Sequence, residues 1–471
     1  MTSTEQNPQR PVLLFASHPI TGHITPTLRV ASALASRGWE AWFLGPTTYR
    51  SRITNAGVHF TPLLGAADLN DLHYYSATKP PTPDYWSLTW QQRNTVDFQL
   101  TWIDVIPTEW ESLKRALGML YRLSPHRPII VVAEAMFFGI LPLFYNAPLP
   151  DGVQKPKTVA LSIMLPFIYS ADVPPFFADA AISPSGAATE SPEEARKRYS
   201  RAWVCWEKDT AGLKARMDAK LVEAGATQLV DGPFLSGANY LPHKAILQLG
   251  LPGFFLPRGD WPAHFKVVGV LPTAKPRGGT WLDLPPWWKD VLQIDITESK
   301  KKKVIVVAQG TIEIDPNDLI IPTLRAMAGR SDVIVVAILG RKGATLPVDF
   351  AVPANGRVTD YLNYDAILPH AQAWVHNGGY GAVQSGLAHG TPMVVAGEGQ
   401  DKVDNARRVE WSGAGVNLGG PMPDIKHMRK AIETVLDDEG FKERFERLVA
   451  ERSGLDCFDL VEKQLLGLGD A

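Results

Sequence analysis

Two short apolar runs, residues 12–17 and 304–308, each open a series in which short strands alternate with helical segments. Such alternation joins successive strands by crossovers rather than hairpins, and it specifies a parallel sheet covered by helices on both faces. The first unit is the clearest. After the strand at 12–17, Thr25 is placed to cap a helix with Pro26 at its first position. Leu28, Ala31, Leu34 and Ala35 give that helix an apolar face, and Gly38 ends it. A strand at 40–44 and a helical segment at 49–56 follow, closing on Gly57 before "VHFTPL". The second series has strands at 304–308, 333–338, 357–359, 373–376 and 392–396.

At 471 residues the chain exceeds one ordinary domain. The Pro/Gly-rich stretch "TAKPRGGTWLDLPPWW" after "FKVVGVLP" divides it into residues 1–272 and 273–471, two successive doubly wound halves, with room for the last helix to pack back on the first. A formal net charge of −2 gives no electrostatic footprint for nucleic acid or an anionic membrane. Two cysteines exclude a disulfide framework and point to a reducing compartment. The apolar run at 12–16 is too short for a signal-peptide core. Residues 128–145, interrupted by Glu134, read as a buried strand plus helix rather than a membrane span. The expectation is a cytoplasmic protein. The lysine run at 300–303 reads as a solvated loop flank. Residues 63–93 and the stretch "ADVPPFFADAAISPSGAATESPEE" break the rhythm and read as long irregular segments. Their aromatics suit a wall beside an apolar ligand and a solvent-exposed loop about equally.

The chemistry concentrates in "VHNGGYGAVQSGLAHGTPMVVAGEGQDKVDN". A strand ends on His376, Gly378, Gly379 and Gly381 follow, and a helix begins near Gly381. Strand, glycine loop and helix N-terminus together bind phosphate, because glycines let backbone N–H groups approach the anion and the helix dipole favours its charge. A glycine cluster alone fits a tight turn as well.

The ordered set "QGT", "DYLNYDAILPH", "HNGGYG", "HGTPMVV" and "DKVDNA" over residues 304–420 resembles the donor-binding domain of family 1 glycosyltransferases, the UDP-glycosyltransferases, and is most similar to their bacterial and fungal natural-product branch. The resemblance implies the GT-B architecture, an α/β fold of two Rossmann-like domains facing across a cleft, with the acceptor on the first and the nucleotide sugar on the second. It places Tyr361 as the ring stacked on uracil, with the Leu362 backbone pairing the base. Gln384 stands where many members have a ribose-binding glutamate. His376 and the backbone of Gly378, Gly379, Tyr380 and Gly381 would hold the pyrophosphate, with Gln309, Gly310 and Thr311 beside it. Asp401 and Lys402 match the acidic residue and glutamine that contact the sugar, and the lysine, a departure, leaves the sugar open between glucose and another hexose.

In the first half, "SHPITGHITP" carries His23 at the place of the family's catalytic histidine. The implied role is general base, taking the acceptor's proton as its oxygen attacks C1. His18 is a nearby competitor off the family's pattern. The aspartate that pairs with the histidine in the family is matched by Glu134, at the end of a strand, where a structural arginine would be the other possible partner. No D-x-D triplet occurs, so the resemblance implies a metal-independent, inverting transfer with no cofactor besides the UDP-sugar co-substrate. The acceptor is expected to be an apolar, phenolic or polyketide-like molecule. A GT-B-shaped nucleotide-sugar epimerase and a catalytically inactive nucleotide-sugar sensor remain alternatives. A dehydrogenase is disfavoured, since neither "GPTTYR" nor "GAGVNL" has the G-x-G-x-x-G spacing.

Overall fold

The computed structural model describes residues 10–74, 80–177, 190–274, 284–293, 297, 300–310 and 315–469. Its first sheet has seven strands: β1 (Val12–Ala16), β2 (Ala41–Gly45), β3 (His59–Pro62), β4 (Ile129–Glu134), β5 (Lys157–Ser162), β6 (Ala245–Leu249) and β7 (Phe265–Gly269). They lie in the order β3-β2-β1-β4-β5-β6-β7. The second sheet has six: β8 (Lys303–Ala308), β9 (Val333–Ile338), β10 (Gly356–Thr359), β11 (Ala373–His376), β12 (Met393–Val395) and β13 (Gly415–Asn417), ordered β10-β9-β8-β11-β12-β13. All the paired strands run parallel. β1, β4, β8 and β9 are buried almost end to end because helices cover both faces, which is why they read as continuous Val/Ile/Leu runs rather than alternating ones.

Each sheet reverses its strand order once, between β1 and β4 in the first and between β8 and β11 in the second. At such a reversal the crossovers leave toward opposite faces and a crevice opens at the carboxyl ends of the two strands. His23 follows β1 and Glu134 ends β4; Gln309 follows β8 and His376 ends β11.

The first helix departs from the sequence expectation. It spans Thr21–Ser36, so Thr25 is not its cap and Pro26 lies inside it. The reason is a cap from elsewhere: the Asp71 carboxylate accepts from Thr21 N at 2.7 Å and Thr21 Oγ1 at 2.6 Å. An anion there satisfies a free N–H and opposes the helix dipole. The helix therefore starts early enough to carry His23 in its first turn.

Within 63–93, where residues 75–79 lie outside the described set, the described residues are more regular than expected. Thr89 and Gln92 form a capping box that starts the helix Trp90–Asp97, which runs on into the π-helical turn Phe98–Ile103. Tyr85 is buried with its hydroxyl on Asp97 at 2.9 Å. In the second stretch Ser191 caps the helix Pro192–Asp209 through a box with Glu194, while residues 178–189 lie outside the described set. Residues 128–145 form β4, a 3-10 turn at Phe138–Ile140 and the short helix Leu141–Phe144. Among the described residues no helix is long and apolar enough to cross a membrane.

The helix Cys457–Gly469 crosses back from the second half to the first. Cys457, Val461 and Leu465 recur every four residues, share one face, and are fully buried in a cluster with Leu13, Phe15, Ile24 and Leu34. Glu462 accepts from Trp39 Nε1 at 2.8 Å and pairs with Arg37 at 2.8 Å. Leu465→Ala is expected to lower stability by about 2–5 kcal/mol, the usual cost of emptying a buried leucine site. A denaturant titration showing a loss under about 1 kcal/mol would mean that this helix does not complete the first core.

Candidate active site

The two crevices line one cleft of about 470 Å³, walled by both halves of the chain. On the first-half wall His23 Nδ1 lies 3.0 Å from Glu134 Oε2. Glu134 is fully buried, and its other oxygen accepts from Met136 N at 2.9 Å. A buried carboxylate this close favours the imidazole tautomer with its proton on Nδ1, which leaves Nε2 free of it. Burial disfavours the imidazolium, but the Glu134 carboxylate, helped by Asp401 and Asp71, outweighs it and raises the His23 pKa. Asp401 belongs to the second half, so the two walls are electrostatically coupled.

Around this pair the wall is apolar. Ile20, Phe98, Trp102, Met136, Ile163 and Phe177 line it. Of these, Phe177 lies in the stretch "ADVPPFFADAAISPSGAATESPEE", whose aromatics suit such a wall, while Phe98 and Trp102 sit on one helical turn. The T-x-x-Q box before Phe98 was the available signal for the helix that presents both rings. His18 stacks on Trp102 with ring centroids 4.3 Å apart and planes 14° apart, turned away as a competitor base by full burial.

On the opposite wall the glycine loop is built as the sequence suggests. Gly378 has φ +93°, and a Cβ there would stand 3.0 Å from Lys402 O. Glycine thus lets the loop lie against the start of the helix Lys402–Trp411. Gly379 is the N-cap of the helix Tyr380–His389, and a side chain at Gly381 in the first turn would meet only open space. His376 is 1% exposed; its Nδ1 accepts from Gly378 N at 3.0 Å, so the ring proton sits on Nε2. Nε2 has no partner among the described residues and the side chain lines the cleft. Burial pushes the His376 pKa down to about 3, so it presents a neutral N–H donor throughout the physiological range.

Other expected donor residues differ in what their side chains do. Tyr361 is 52% exposed after β10, open as a stacking platform, and Leu362 is buried beside it. Gln384 is 8% exposed, and neither amide atom has a partner among the described residues. Gln309 turns inward: Nε2 donates to Asp315 O at 2.7 Å and Oε1 accepts from Ile320 N at 3.2 Å, so only its backbone faces the cleft region. Its carbonyl accepts from Asn377 Nδ2, tying the loop after β8 to the loop after β11. Gly310 has φ +86°, and Thr311 lies outside the described residues. The Tyr380 side chain leaves the donor loop altogether: its hydroxyl donates to Leu249 O in the first half at 2.7 Å.

Asp401 and Lys402 sit at the start of their helix and line the cleft. Asn405, fully buried and given no role from the sequence, donates to Asp401 Oδ2 at 2.9 Å and to Gly378 O at 2.8 Å, tying the Asp401 carboxylate to the glycine loop. Lys402 Nζ donates to Gln400 Oε1 at 2.8 Å. The same segment reaches the other wall twice: Gln400 N donates to Asn94 Oδ1 at 3.1 Å, and Asp404 Oδ2 accepts from Phe177 N at 3.0 Å. Among the described residues no group of three or more His, Cys, Asp or Glu side chains is arranged to hold a metal ion.

Residues 323–466 match the family described as "Erythromycin biosynthesis protein CIII-like, C-terminal domain". The chain is 32% identical over 468 residues to UDP-glucosyltransferase 1 of Beauveria bassiana, covering 96% of this chain and 94% of that protein. It is 30% identical over 457 residues to UDP-glucosyltransferase A1 of Starmerella bombicola, covering 97% and 92%. Among solved structures, the glycosyltransferase of kitacinnamycin superposes with a TM-score of 0.67 at 20% identity, covering 97% of this chain and all of that one.

His376→Ala is expected to weaken UDP binding by roughly 1.5–3 kcal/mol, the worth of one hydrogen bond to a charged group. Because the ring is neutral, the wild-type to variant affinity ratio should stay constant between about pH 5 and pH 8. Calorimetry giving equal affinities, or a ratio that collapses near about pH 6.5, would remove His376 as a neutral phosphate donor.

Proposed function

The chain belongs to family 1 of the glycosyltransferases, the natural-product UDP-glycosyltransferases of GT-B architecture, and on that premise we propose that it moves a hexose, glucose foremost, from a UDP-sugar to a hydroxyl of an apolar small molecule, inverting the anomeric centre with His23 as general base. The observation that carries this reading is the 3.0 Å His23–Glu134 pair set in an apolar wall opposite a glycine-loop phosphate cradle. An apolar wall beside a base is what a hydroxyl acceptor requires and an epimerase does not.

The geometry supports one displacement. The acceptor hydroxyl gives its proton to His23 Nε2 while its oxygen forms a bond to C1 of the sugar. The bond from C1 to the β-phosphate oxygen breaks, and its electron pair leaves with UDP. Glu134 keeps the Nδ1 proton in place and stabilises the imidazolium as it forms. The charge growing on the diphosphate meets the His376 Nε2–H and the N-terminus of the helix Tyr380–His389, donors already oriented before the reaction. Asp401, held by Asn405, and Lys402 stand where sugar hydroxyls would bind. Tyr361 offers its exposed ring to the uracil and Gln384 its amide to the ribose. The ring-lined wall of Phe98, Trp102 and Phe177 suits a phenolic or polyketide acceptor.

Turnover is expected to survive EDTA, since the leaving group is met by N–H donors rather than by a carboxylate pair that would hold a cation. Loss on chelation, restored by Mg²⁺ or Mn²⁺, would overturn that account of the diphosphate.

His23→Ala should lower turnover by about 10²–10⁴ with UDP affinity intact, and by less for acidic phenols than for alkyl alcohols. A base works deprotonated, so kcat/KM should rise with pH through a value above the ordinary ~6.5 of histidine. In Glu134→Gln, with the carboxylate that holds the imidazolium gone, kcat should fall and the acid limb should move to lower pH. Equal losses for all acceptors, or an acid limb that Glu134→Gln leaves in place, would reduce His23 to a shape-giving residue.

A further inference from the structure

Behind His23 lie two titratable side chains that the transfer step above does not use. His18 and Glu109 are both fully buried, and His18 Nδ1 stands 3.7 Å from Glu109 Oε1. Neither of these atoms has a hydrogen-bond partner among the described residues, and His18 Nε2 has none either. An ion pair at that distance, with no hydrogen bond to join it, repays little of the cost of holding two charges in a dry interior.

The place of Glu109 is built for it. Its other oxygen accepts from Gly139 N at 2.7 Å. A Cβ at residue 139 would fall 2.3 Å from Glu109 Cβ, so glycine is the residue that admits this carboxyl. His18 is fixed with equal care: one face stacks on Trp102, its ring meets the His23 ring edge-on at 5.6 Å, and its backbone N–H approaches Glu134 Oε2 at 3.4 Å. The pair therefore touches both members of the base dyad.

We propose that Glu109 keeps its proton and His18 stays a neutral imidazole beside it, and that this uncharged pair positions His23 while leaving Glu134 as the anion paired with it. Burial favours that arrangement from both sides, raising the Glu109 pKa well above the carboxylate range and lowering that of His18 well below the imidazole range. The charged groups in reach are Glu134 toward Glu109 and His23 toward His18, while Asp401 and Asp71 act on His23 from beyond it. An ionised Glu109 would add a second anion beside Glu134 and hold His23 protonated to higher pH, where it could not accept the acceptor's proton. Glu109 and His18 are thus positioning residues, acting through His23 rather than on substrate. This role rests on the reading of His23 as base; the protonation of the pair does not.

Infrared difference spectroscopy of the full chain at about pH 8, far above the ordinary ~4.3 of glutamate, tests the pair without reference to turnover. The wild type should show the carbonyl band of a buried carboxylic acid that Glu109→Gln abolishes; its absence, or its survival in the variant, overturns the proposal. His18→Phe keeps a ring on Trp102 and cannot carry a charge, so the same band should persist, and its loss overturns the neutral pair even if Glu109→Gln fails to fold. In the pH profile of kcat/KM, Glu109→Gln should leave the acid limb where it stands, because it removes no charge. An acid limb displaced as far as in Glu134→Gln would show that Glu109 is ionised. A fully active His23→Ala would sink the base assignment while leaving the infrared result standing, so the two failures are distinguishable.

Discussion

A parallel sheet cannot fold back on itself with a tight turn; each strand must return through a crossover, and the hand of the crossover is fixed. The consequence is a crevice wherever the strand order reverses, and this chain has two, between β1 and β4 and between β8 and β11. Everything chemical in the molecule hangs from their rims. Glu134 is the last residue of β4, His376 the last of β11, and His23 and the Gly378–Gly379 turn lie just past β1 and β11. The side chains that close these rims come from far away in sequence: Asp71 on the N-terminus of the first helix, Asn405 on Gly378 O, Asn377 on the carbonyl of Gln309.

The two cleft histidines show how one side-chain type is given opposite proton affinities by its surroundings. Among the described residues His376 has no carboxylate partner, so burial decides and the ring stays neutral. His23 is half-buried, yet Glu134 lies against its Nδ1 and Asp401 and Asp71 look on, so proton affinity rises instead. Desolvation and a nearby anion act in opposite directions on an imidazole, and distance to the carboxylate chooses the winner. A phosphate donor is best kept from titrating, whereas a base must be able to hold a proton and release it.

Most strands were readable from their apolar runs, and so was the turn from β11 into the helix Tyr380–His389, because strand, glycines and helix follow one another directly in the chain. What could not be read were contacts delivered from a distance. Thr25 and Pro26 looked like a helix start by every local rule, but Asp71, fifty residues on, caps the helix at Thr21. Gln309 and Tyr380 stand inside motifs that suggest ligand contact, yet their side chains serve the loop after β8 and the far domain. Local periodicity reports which face of an element is apolar; it does not report what a polar side chain on the other face will meet. The helix at Trp90 was a different kind of miss. Its capping box was written in four consecutive residues, Thr89 to Gln92, and the surrounding prolines and aromatics obscured it.

The Tyr380 hydroxyl on Leu249 O has a consequence for how the halves can be exchanged. The bond joins the first turn of the helix Tyr380–His389 to the end of β6, so the glycine loop of the second half is braced by the first half. At the same contact Gly250, with φ +142°, would bring a Cβ within 3.1 Å of that hydroxyl and 2.7 Å of the Phe255 ring. The two halves are therefore not free modules. A chimera grafting this first half onto a foreign donor domain would need a tyrosine at the matching position. One grafting this donor domain elsewhere would need a small, left-handed residue to receive it.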